Sequence, residues 1–217
     1  MATTLTTTPP AAPPARKRIH ETLVFDLCER LFLLLLFVWF ASRVLPSVSG
    51  QPYNMLILVS ETFTAFLVLV RRPGPMATTA YAWTVAVVGT CAPLLVLPHG
   101  GTLIPVEAAA LLMMFGLFLS LAAKAFLRRS FGIVAACRGV RRGGVYRLVR
   151  HPMYSGYVIT QAGFLLLNPS FWNAIVYAVA WLAMLLRIDE EEKFLSQDQA
   201  YRDYKADVRW RLIPGLY

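Results

Sequence analysis

Apolar residues along this chain are gathered into long runs, which short polar or Pro/Gly-rich breaks separate. Long apolar runs without strict alternation predict helices rather than half-buried strands. The runs cover about 23–45, 54–70, 80–97, 104–126, 154–167 and 171–186. Several approach or exceed the ~20 residues that a helix needs to cross a bilayer. The pattern predicts an all-α polytopic integral membrane protein with five or six transmembrane helices.

The breaks between the runs divide the chain into three regions. Residues 1–18 are rich in Thr, Pro and Ala and end in a basic group, so they are expected to form a disordered tail. Residues 19–129 hold four predicted transmembrane helices, with Asp26, Glu29 and Arg30 expected at the membrane interface. Residues 130–217 begin with an Arg- and Gly-rich stretch and continue with two short apolar helices, expected to form a hairpin or a broken helix.

Composition and charge agree with a membrane protein. The chain is 57% hydrophobic and only 15% charged, which is low for a soluble globular protein. The net charge of +9 does not indicate nucleic-acid binding, because cations that flank transmembrane helices on the cytoplasmic side give the same excess. With a cytoplasmic N-terminus, 20 of the 21 Lys and Arg residues fall on the cytoplasmic side, and Arg43 is the exception. Both termini and the C-terminal third are therefore predicted to be cytoplasmic.

The cysteines point to no metal or disulfide site. Cys28, Cys91 and Cys137 are scattered and odd in number. Their spacing matches neither a disulfide framework nor a zinc-ligand pattern, so no metal is expected.

Two polar clusters stand beside the last apolar runs. The first is the run GVYRLVRHPMYSG over 144–156, and the second is RIDEEE over 187–192. Pro152 favours an extended His151 and a helix start just after it, where free amide groups can hold an anion. If the last helix continues, Arg187 and Glu191 stand four residues apart on one face. Taken singly, each feature has an ordinary alternative, such as a solvated helix end or an aromatic belt residue.

Together the two clusters resemble the isoprenylcysteine carboxyl methyltransferase family and its phospholipid-methylating relatives. The family pattern is Gly-hydrophobic-Tyr, Arg-His-Pro-x-Tyr-x-Gly, Arg-Ile with paired glutamates, Tyr-x-x-Tyr and a late Pro. The matching residues are Gly144, Tyr146, Arg150, His151, Pro152, Tyr154, Gly156, Arg187, Ile188, Glu190, Glu191, Tyr201, Tyr204 and Pro214. The resemblance covers about 138–217, whereas the four N-terminal helices match only in being apolar.

The resemblance implies a membrane enzyme that uses S-adenosylmethionine. The residues that it implies for cofactor contact are Arg138, Gly139, Val140, Arg141, Tyr146, His151, Pro152, Met153, Tyr154 and Glu191. It also implies that Arg187 holds the acceptor group, and that residues 130–217 are the methyltransferase core with a cytosolic cofactor-binding region. The family often has His at position 138 and an apolar residue at 141, where this chain has Arg.

The acceptor separates several functional hypotheses. A carboxylate, as in a prenylated cysteine or another lipophilic acceptor, is already a nucleophile and needs only to be oriented, which Arg187 can do in a bidentate manner. A phospholipid amine or a small thiol would have to lose a proton first, and Glu190 is the candidate base. A sterol-type reductase that binds NADPH and a catalytically silent membrane protein are the remaining alternatives. The expected partners are the lipophilic or prenylated acceptor and membrane lipids, with no nucleic acid.

Overall fold

The computed structural model describes residues 15–47, 54–72, 77–97, 101–130, 132, 134, 136 and 139–217. In these residues the chain forms seven α-helices and no strand, which confirms the predicted all-α class. The helices are α1 (Ala15–Val44), α2 (Asn54–Val70), α3 (Ala80–Cys91), α4 (Val106–Leu127), α5 (Pro152–Leu167), α6 (Phe171–Leu195) and α7 (Gln199–Asp207). Most of the predicted tail, together with Cys137 and Arg138, lies outside the described residues.

Several helix boundaries differ from those that the apolar runs predict, most clearly in α1 and α3. Helix α1 begins at Ala15, inside the segment predicted as a tail, because Ala, Arg and Lys are good helix formers and hydropathy marks only the apolar part of a helix. Helix α3 ends at Cys91, short of the predicted end at 97, and continues as a 3₁₀ turn over Ala92–Leu95. Pro93 explains this end, since it has no N–H to donate to the preceding helical turn.

Helices α4 and α5 are antiparallel and pack at very short range. A Cβ atom added at Gly116 would lie 2.6 Å from the carbonyl oxygen of Gly156, and one added at Gly156 would lie 2.6 Å from that of Gly116. Small residues let helix backbones approach closely, as is common between membrane helices. This contact fixes the first turn of α5, and with it the His151–Pro152 motif, against the C-terminal half of α4.

Helix α6 is attached to α3 and α5 at its N-terminal end. The hydroxyl of Ser170 caps the helix by accepting from the amide of Asn173 at 3.1 Å. The fully buried Asn173 side chain accepts from the amide of Leu97 at 3.0 Å and donates to its carbonyl at 2.8 Å. From there α6 runs without interruption through Arg187 to Leu195. The helix therefore carries the second polar cluster away from this attachment to the opposite end of the molecule.

Two helices, α4 and α6, are long and apolar enough to cross a membrane, judged by length and composition in the described residues. At 1.5 Å per residue they extend about 33 and 37 Å, against a hydrocarbon core of about 30 Å. Both present large apolar side chains on the outside of the molecule, such as Leu111, Phe118 and Leu182. The five or six transmembrane helices predicted from the sequence remain a prediction.

Candidate active site

A cleft opens where the chain leaves α4, enters α5 and leaves α6. The space enclosed in it is about 80 Å³, and the cleft is partly open to solvent. The predicted cofactor contacts that line it are Gly139, Val140, Arg141, Tyr146, His151, Met153, Tyr154 and Glu191. Pro152 is buried in the first turn of α5 and does not line the cleft, and Arg138 lies outside the described residues.

The turn that carries Tyr146 depends on a glycine. Gly144 begins a 3₁₀ turn with φ at +57°, a left-handed conformation that favours glycine. The ring of Phe126, near the end of α4, lies directly against it, so a Cβ atom at this position would overlap the ring. The glycine thus lets the chain turn closely over α4 and bury the Tyr146 side chain beside the cleft.

Glu192, rather than Glu190 or Glu191, is the most connected carboxylate of the site. It is buried, and its two oxygens together face three cationic side chains and the imidazole of His151. These are Arg150 Nε at 2.7 Å, His151 Nε2 at 3.2 Å, Arg211 Nη2 at 3.1 Å and Lys205 Nζ at 3.2 Å. A buried carboxylate is tolerated when it is paired in this way. Glu192 therefore ties the His-Pro motif to α6, α7 and the C-terminal segment.

The C-terminal segment crosses the His-Pro motif and is bonded to its backbone. The amides of Arg150 and His151 donate to the carbonyls of Trp210 and Arg211 at 2.9 and 2.8 Å. The hydroxyl of Ser155 donates to the carbonyl of Leu212 at 2.7 Å. These bonds hold His151 before the first turn of α5 at φ −127° and ψ 56°, which is outside the helical region but not the extended conformation expected before Pro152.

Tyr154 connects Arg187 to Glu191. Its hydroxyl donates to Oε2 of Glu191 at 3.1 Å, and the guanidinium carbon of Arg187 lies 5.2 Å from the centre of its ring. A cation over an aromatic ring at this distance is attracted by the ring's negative face. Arg187 is buried, and in the described part of the chain its Nε atom has no hydrogen-bond partner. Burying a guanidinium in this state is unfavourable unless another group supplies the missing acceptor.

Three buried tyrosines close the cleft on the side of α7 and the 3₁₀ turn. The hydroxyl of Tyr204 donates to the carbonyl of Tyr146 at 2.8 Å, whereas the buried hydroxyl of Tyr201 has no partner among the described residues. Burial raises the pKa of all three phenols, most plainly that of Tyr146, which also faces the carboxylate of Glu191. The phenols are therefore neutral in the physiological range, and each can donate a hydrogen bond, as that of Tyr204 does.

Glu190, the predicted base, lies outside the cleft. Its Oε1 atom accepts from Nζ of Lys193 at 2.7 Å, in a pair on the outer side of α6. Its role in proton removal stays a prediction.

Two parts of this arrangement were not identified from the sequence. Glu192 lies four residues after the fully buried Ile188, so helical periodicity places it on the inner face of α6 and could have indicated its burial. The buried pair of Glu29 and Arg71, 2.8 Å apart, has no such signal, because its members belong to different helical segments. Glu29 and Asp26 are both buried in the molecule, and their predicted place at the membrane interface stays a prediction.

The matched family and relatives agree with the motif. Residues 104–202 match the model of the phospholipid methyltransferase family. The chain is 35% identical to a protein-S-isoprenylcysteine O-methyltransferase of Dictyostelium discoideum over 78 residues, which cover 34% of this chain and 32% of the relative. It is 44% identical to protein-S-isoprenylcysteine O-methyltransferase A of Arabidopsis thaliana over 75 residues, covering 32% and 37%.

The family match falls on the part of the chain that builds most of the cleft. The family match runs from just before α4 into α7 and includes every residue that the motif singles out between Arg138 and Glu191. The chain spans about a third of the length of the curated relatives that it matches. Residues 104–202 are therefore similar to the phospholipid methyltransferase family, and about a third of the chain is similar to two protein-S-isoprenylcysteine O-methyltransferases.

Proposed function

We propose that this protein is a membrane methyltransferase that takes its methyl group from S-adenosylmethionine and transfers it to the carboxylate of a lipophilic, isoprenylcysteine-like acceptor. The observation that carries this proposal is Arg187, a buried guanidinium whose Nε lacks a partner in the described residues. It lies one helical turn from Glu191, which lines the cleft. A cation in this state fits an incoming anion.

The cleft suits the methyl donor. S-adenosylmethionine supplies an electrophilic methyl group on a positively charged sulfur and carries an ammonium, a carboxylate and ribose hydroxyls. Glu191 offers the cleft a carboxylate that can hold a cationic or hydroxyl group, and Tyr201 offers a buried hydroxyl without a partner in the described residues. Met153 and Tyr146 contribute apolar surface to the wall of the cleft. These residues fit the groups that the donor carries.

Arg187 would position the acceptor for an in-line displacement. A carboxylate oxygen attacks the methyl carbon, the C–O bond forms, the C–S bond breaks, and the electron pair leaves with sulfur. No proton has to be removed, so catalysis rests on alignment, which can supply several kcal/mol. The guanidinium, kept over the Tyr154 ring, can present two N–H groups to the carboxylate.

The same geometry favours a carboxylate over the other acceptors. An ammonium or thiol acceptor requires a base within hydrogen-bond reach, and the candidate Glu190 is paired with Lys193 outside the cleft. A buried guanidinium would also repel an ammonium. Phospholipid amine or small-thiol methylation is therefore the less favoured alternative, followed by an NADPH-dependent reductase.

The membrane arrangement belongs to the same proposal. Residues 19–129 would form four transmembrane helices and residues 130–217 the methyltransferase core, with α5 and α6 as a hairpin. The termini and the cleft would face the cytoplasm, where the donor is made, while the acceptor would approach from the lipid. Support comes from the apolar outer faces of α4 and α6 and from the distribution of Lys and Arg.

The test is a titration of the detergent-purified protein with S-adenosylhomocysteine, with NADPH as the parallel ligand, followed by methyl transfer to S-farnesyl-N-acetylcysteine and to its carboxamide. We expect saturable binding of the first ligand, and transfer to the acid but not to the amide. Glu191→Ala should lose binding, whereas Arg187→Ala should keep it and lose at least ~10²-fold in turnover. Arg202→Gln, on the exposed side of α7, is the matched arginine control.

Each contrary result has a distinct meaning. Binding of NADPH alone would replace the methyltransferase by a reductase. Equal transfer to acid and amide, or full turnover in Arg187→Ala, would remove the carboxylate-orienting role of Arg187.

A further inference from the structure

A cluster of buried charges joins α1 to the end of α2. Arg71, whose side chain is fully buried, places Nη1 2.8 Å from Oε1 of Glu29 and Nη2 2.7 Å from Oδ1 of Asp26. Arg30 reaches the same Asp26 at 2.8 Å and donates to the carbonyl of Leu69 at 2.8 Å. Desolvating these charges is costly, so a cluster of this kind calls for a specific role rather than a general stabilising one.

One member of the cluster reaches the wall of the cleft. The buried backbone amide of Val134 donates to Oε1 of Glu29 at 3.1 Å, across 105 residues of sequence. Val134 is buried at 3% exposure and lines the cleft. The same Glu29 oxygen also pairs with Arg71. Arg71 therefore fixes the carboxylate, and the carboxylate fixes Val134 in the cleft wall.

We propose that Glu29, fixed by Arg71, is a positioning residue for the methyl-donor cleft. Both residues lie outside the matched segment 104–202, so the N-terminal helices would complete the donor site rather than serve only as a membrane anchor. The proposal rests on the proposed function, because it takes the cleft to be the site of S-adenosylmethionine.

The physical reason lies in how the cleft wall is built. Between the 3₁₀ turn that ends at Ser130 and the one that begins at Gly144, the described residues form no helix. Fixing such a segment costs conformational entropy. The bond from the Glu29 carboxylate, which Arg71 holds in place, orders the cleft wall before the donor binds. Donor binding then does not have to supply the free energy for this ordering.

The experiment compares Glu29→Ala, Glu29→Gln and Arg30→Gln in full-length, detergent-purified protein. The alanine variant is expected to raise the Kd for S-adenosylhomocysteine about tenfold or more, while kcat at saturating S-adenosylmethionine stays within about threefold. Glutamine keeps an oxygen that can accept from the Val134 amide, so Glu29→Gln should recover much of the affinity. Arg30→Gln is the matched control, since Arg30 belongs to the same cluster but bonds Asp26 and Leu69, which do not line the cleft, and the variant should leave Kd within about twofold.

If Glu29→Ala lowers the thermal stability but leaves the Kd for S-adenosylhomocysteine unchanged, the proposal is overturned. Glu29 and Arg71 would then only stabilise the fold. If neither Glu29 variant folds, amide exchange in the wild type decides: the Val134 amide should be protected without ligand, and exchange at the rate of an open chain would overturn the anchoring. Failure of the proposed function can be told apart from failure of the Glu29 proposal. In the first case the wild type would not bind S-adenosylhomocysteine, whereas protection of the Val134 amide would still show whether Glu29 anchors it.

Discussion

Neighbouring glutamates at the end of α6 have different environments. Glu191 lines the cleft and bonds one phenol, whereas Glu192, the next residue, is buried among Arg150, His151, Lys205 and Arg211. Successive helical positions point about 100° apart, so one residue can face a ligand while the next faces the protein. Glu191 is therefore suited to binding, and Glu192 to holding the binding residues in place.

Replacing Glu192 tests this division. Glu192→Ala leaves three cations and the His151 imidazole without their shared partner, and breaking a buried pair in this way costs about 3–5 kcal/mol. We expect a large fall in the thermal unfolding temperature in detergent. Glu190→Gln breaks only the exposed pair with Lys193, worth about 0–1 kcal/mol, and should unfold close to the wild type. Equal unfolding temperatures for the two variants would contradict the central role of Glu192.

Two tyrosines on α7 give a matched pair with opposite expectations. Tyr201→Phe removes a buried hydroxyl that has no partner in the described residues, so the ligand-free protein should keep or gain up to about 1 kcal/mol of stability. Tyr204→Phe removes the 2.8 Å bond to the Tyr146 carbonyl and should lose about 1 kcal/mol. Thermal unfolding measures both.

The donor titration separates the same two variants. If the Tyr201 hydroxyl faces the donor, Tyr201→Phe should weaken S-adenosylhomocysteine binding although it does not destabilise the protein. Unchanged binding in Tyr201→Phe would exclude this hydroxyl from the donor site.

For single residues, the sequence motif identified those site residues that lie close together in the chain. His151, Met153 and Tyr154 are near neighbours in the chain, and helical spacing relates Arg187 to Glu191, so local rules suffice to group them. The contact between Glu29 and Val134 joins positions 105 residues apart, and no local pattern encodes it. Long-range pairing of buried charges becomes visible only in the folded chain.

The α4–α5 contact positions the site at the scale of helices. A Cβ atom at Gly156 would lie 2.6 Å from the Gly116 carbonyl and 2.7 Å from the Ser120 amide, and backbone atoms cannot move aside without shifting a helix. Because Gly156 lies one turn after Pro152, such a shift would displace the His-Pro motif.

Gly156→Ala is therefore expected to destabilise the protein by about 1–3 kcal/mol, as overpacking does, and to reduce methyl transfer strongly. Gly89→Ala is the matched control on α3, where a Cβ atom would meet its nearest neighbour at an ordinary 3.7 Å. The higher helix propensity of Ala should make that variant as stable as the wild type or slightly more stable. The unfolding temperature and the turnover are measured for both variants. Equal values for Gly156→Ala and Gly89→Ala would contradict the close-packing explanation.

Helix positions followed from apolar runs more reliably than helix ends did. The run at 54–70 coincides with α2, because apolar content and helix end together there. Helix α1 starts earlier than its apolar run, and α6 continues to Leu195, beyond the run that ends at 186, because polar and charged residues also form helix. Hydropathy marks the part of a helix that suits lipid, and the remaining turns carry the chemistry of this site.

Charged residues are segregated along the whole molecule. At one end, the amide of Leu103 bonds the carbonyl of Leu166, and Asn173 bonds Leu97, so the start of α4, the end of α5 and the start of α6 lie together. Among the described residues of 95–107 and 164–175, Glu107 is the one charged side chain. The opposite end holds the cleft and most of the cations. Such an asymmetry predicts that the cleft end is cytoplasmic.

Labelling with a membrane-impermeant maleimide tests this orientation in a background without Cys28, Cys91 and Cys137. Thr102→Cys places a thiol at the exposed uncharged end, and Asp203→Cys places one on the exposed side of α7 at the cleft end. Helix α4 extends about 33 Å between these ends, enough to separate them across a bilayer. In intact cells Thr102→Cys should react and Asp203→Cys should react only after permeabilisation. The reverse pattern would place the cleft away from the cytoplasmic supply of its donor, and reaction of both in sealed cells would show that α4 does not cross the membrane.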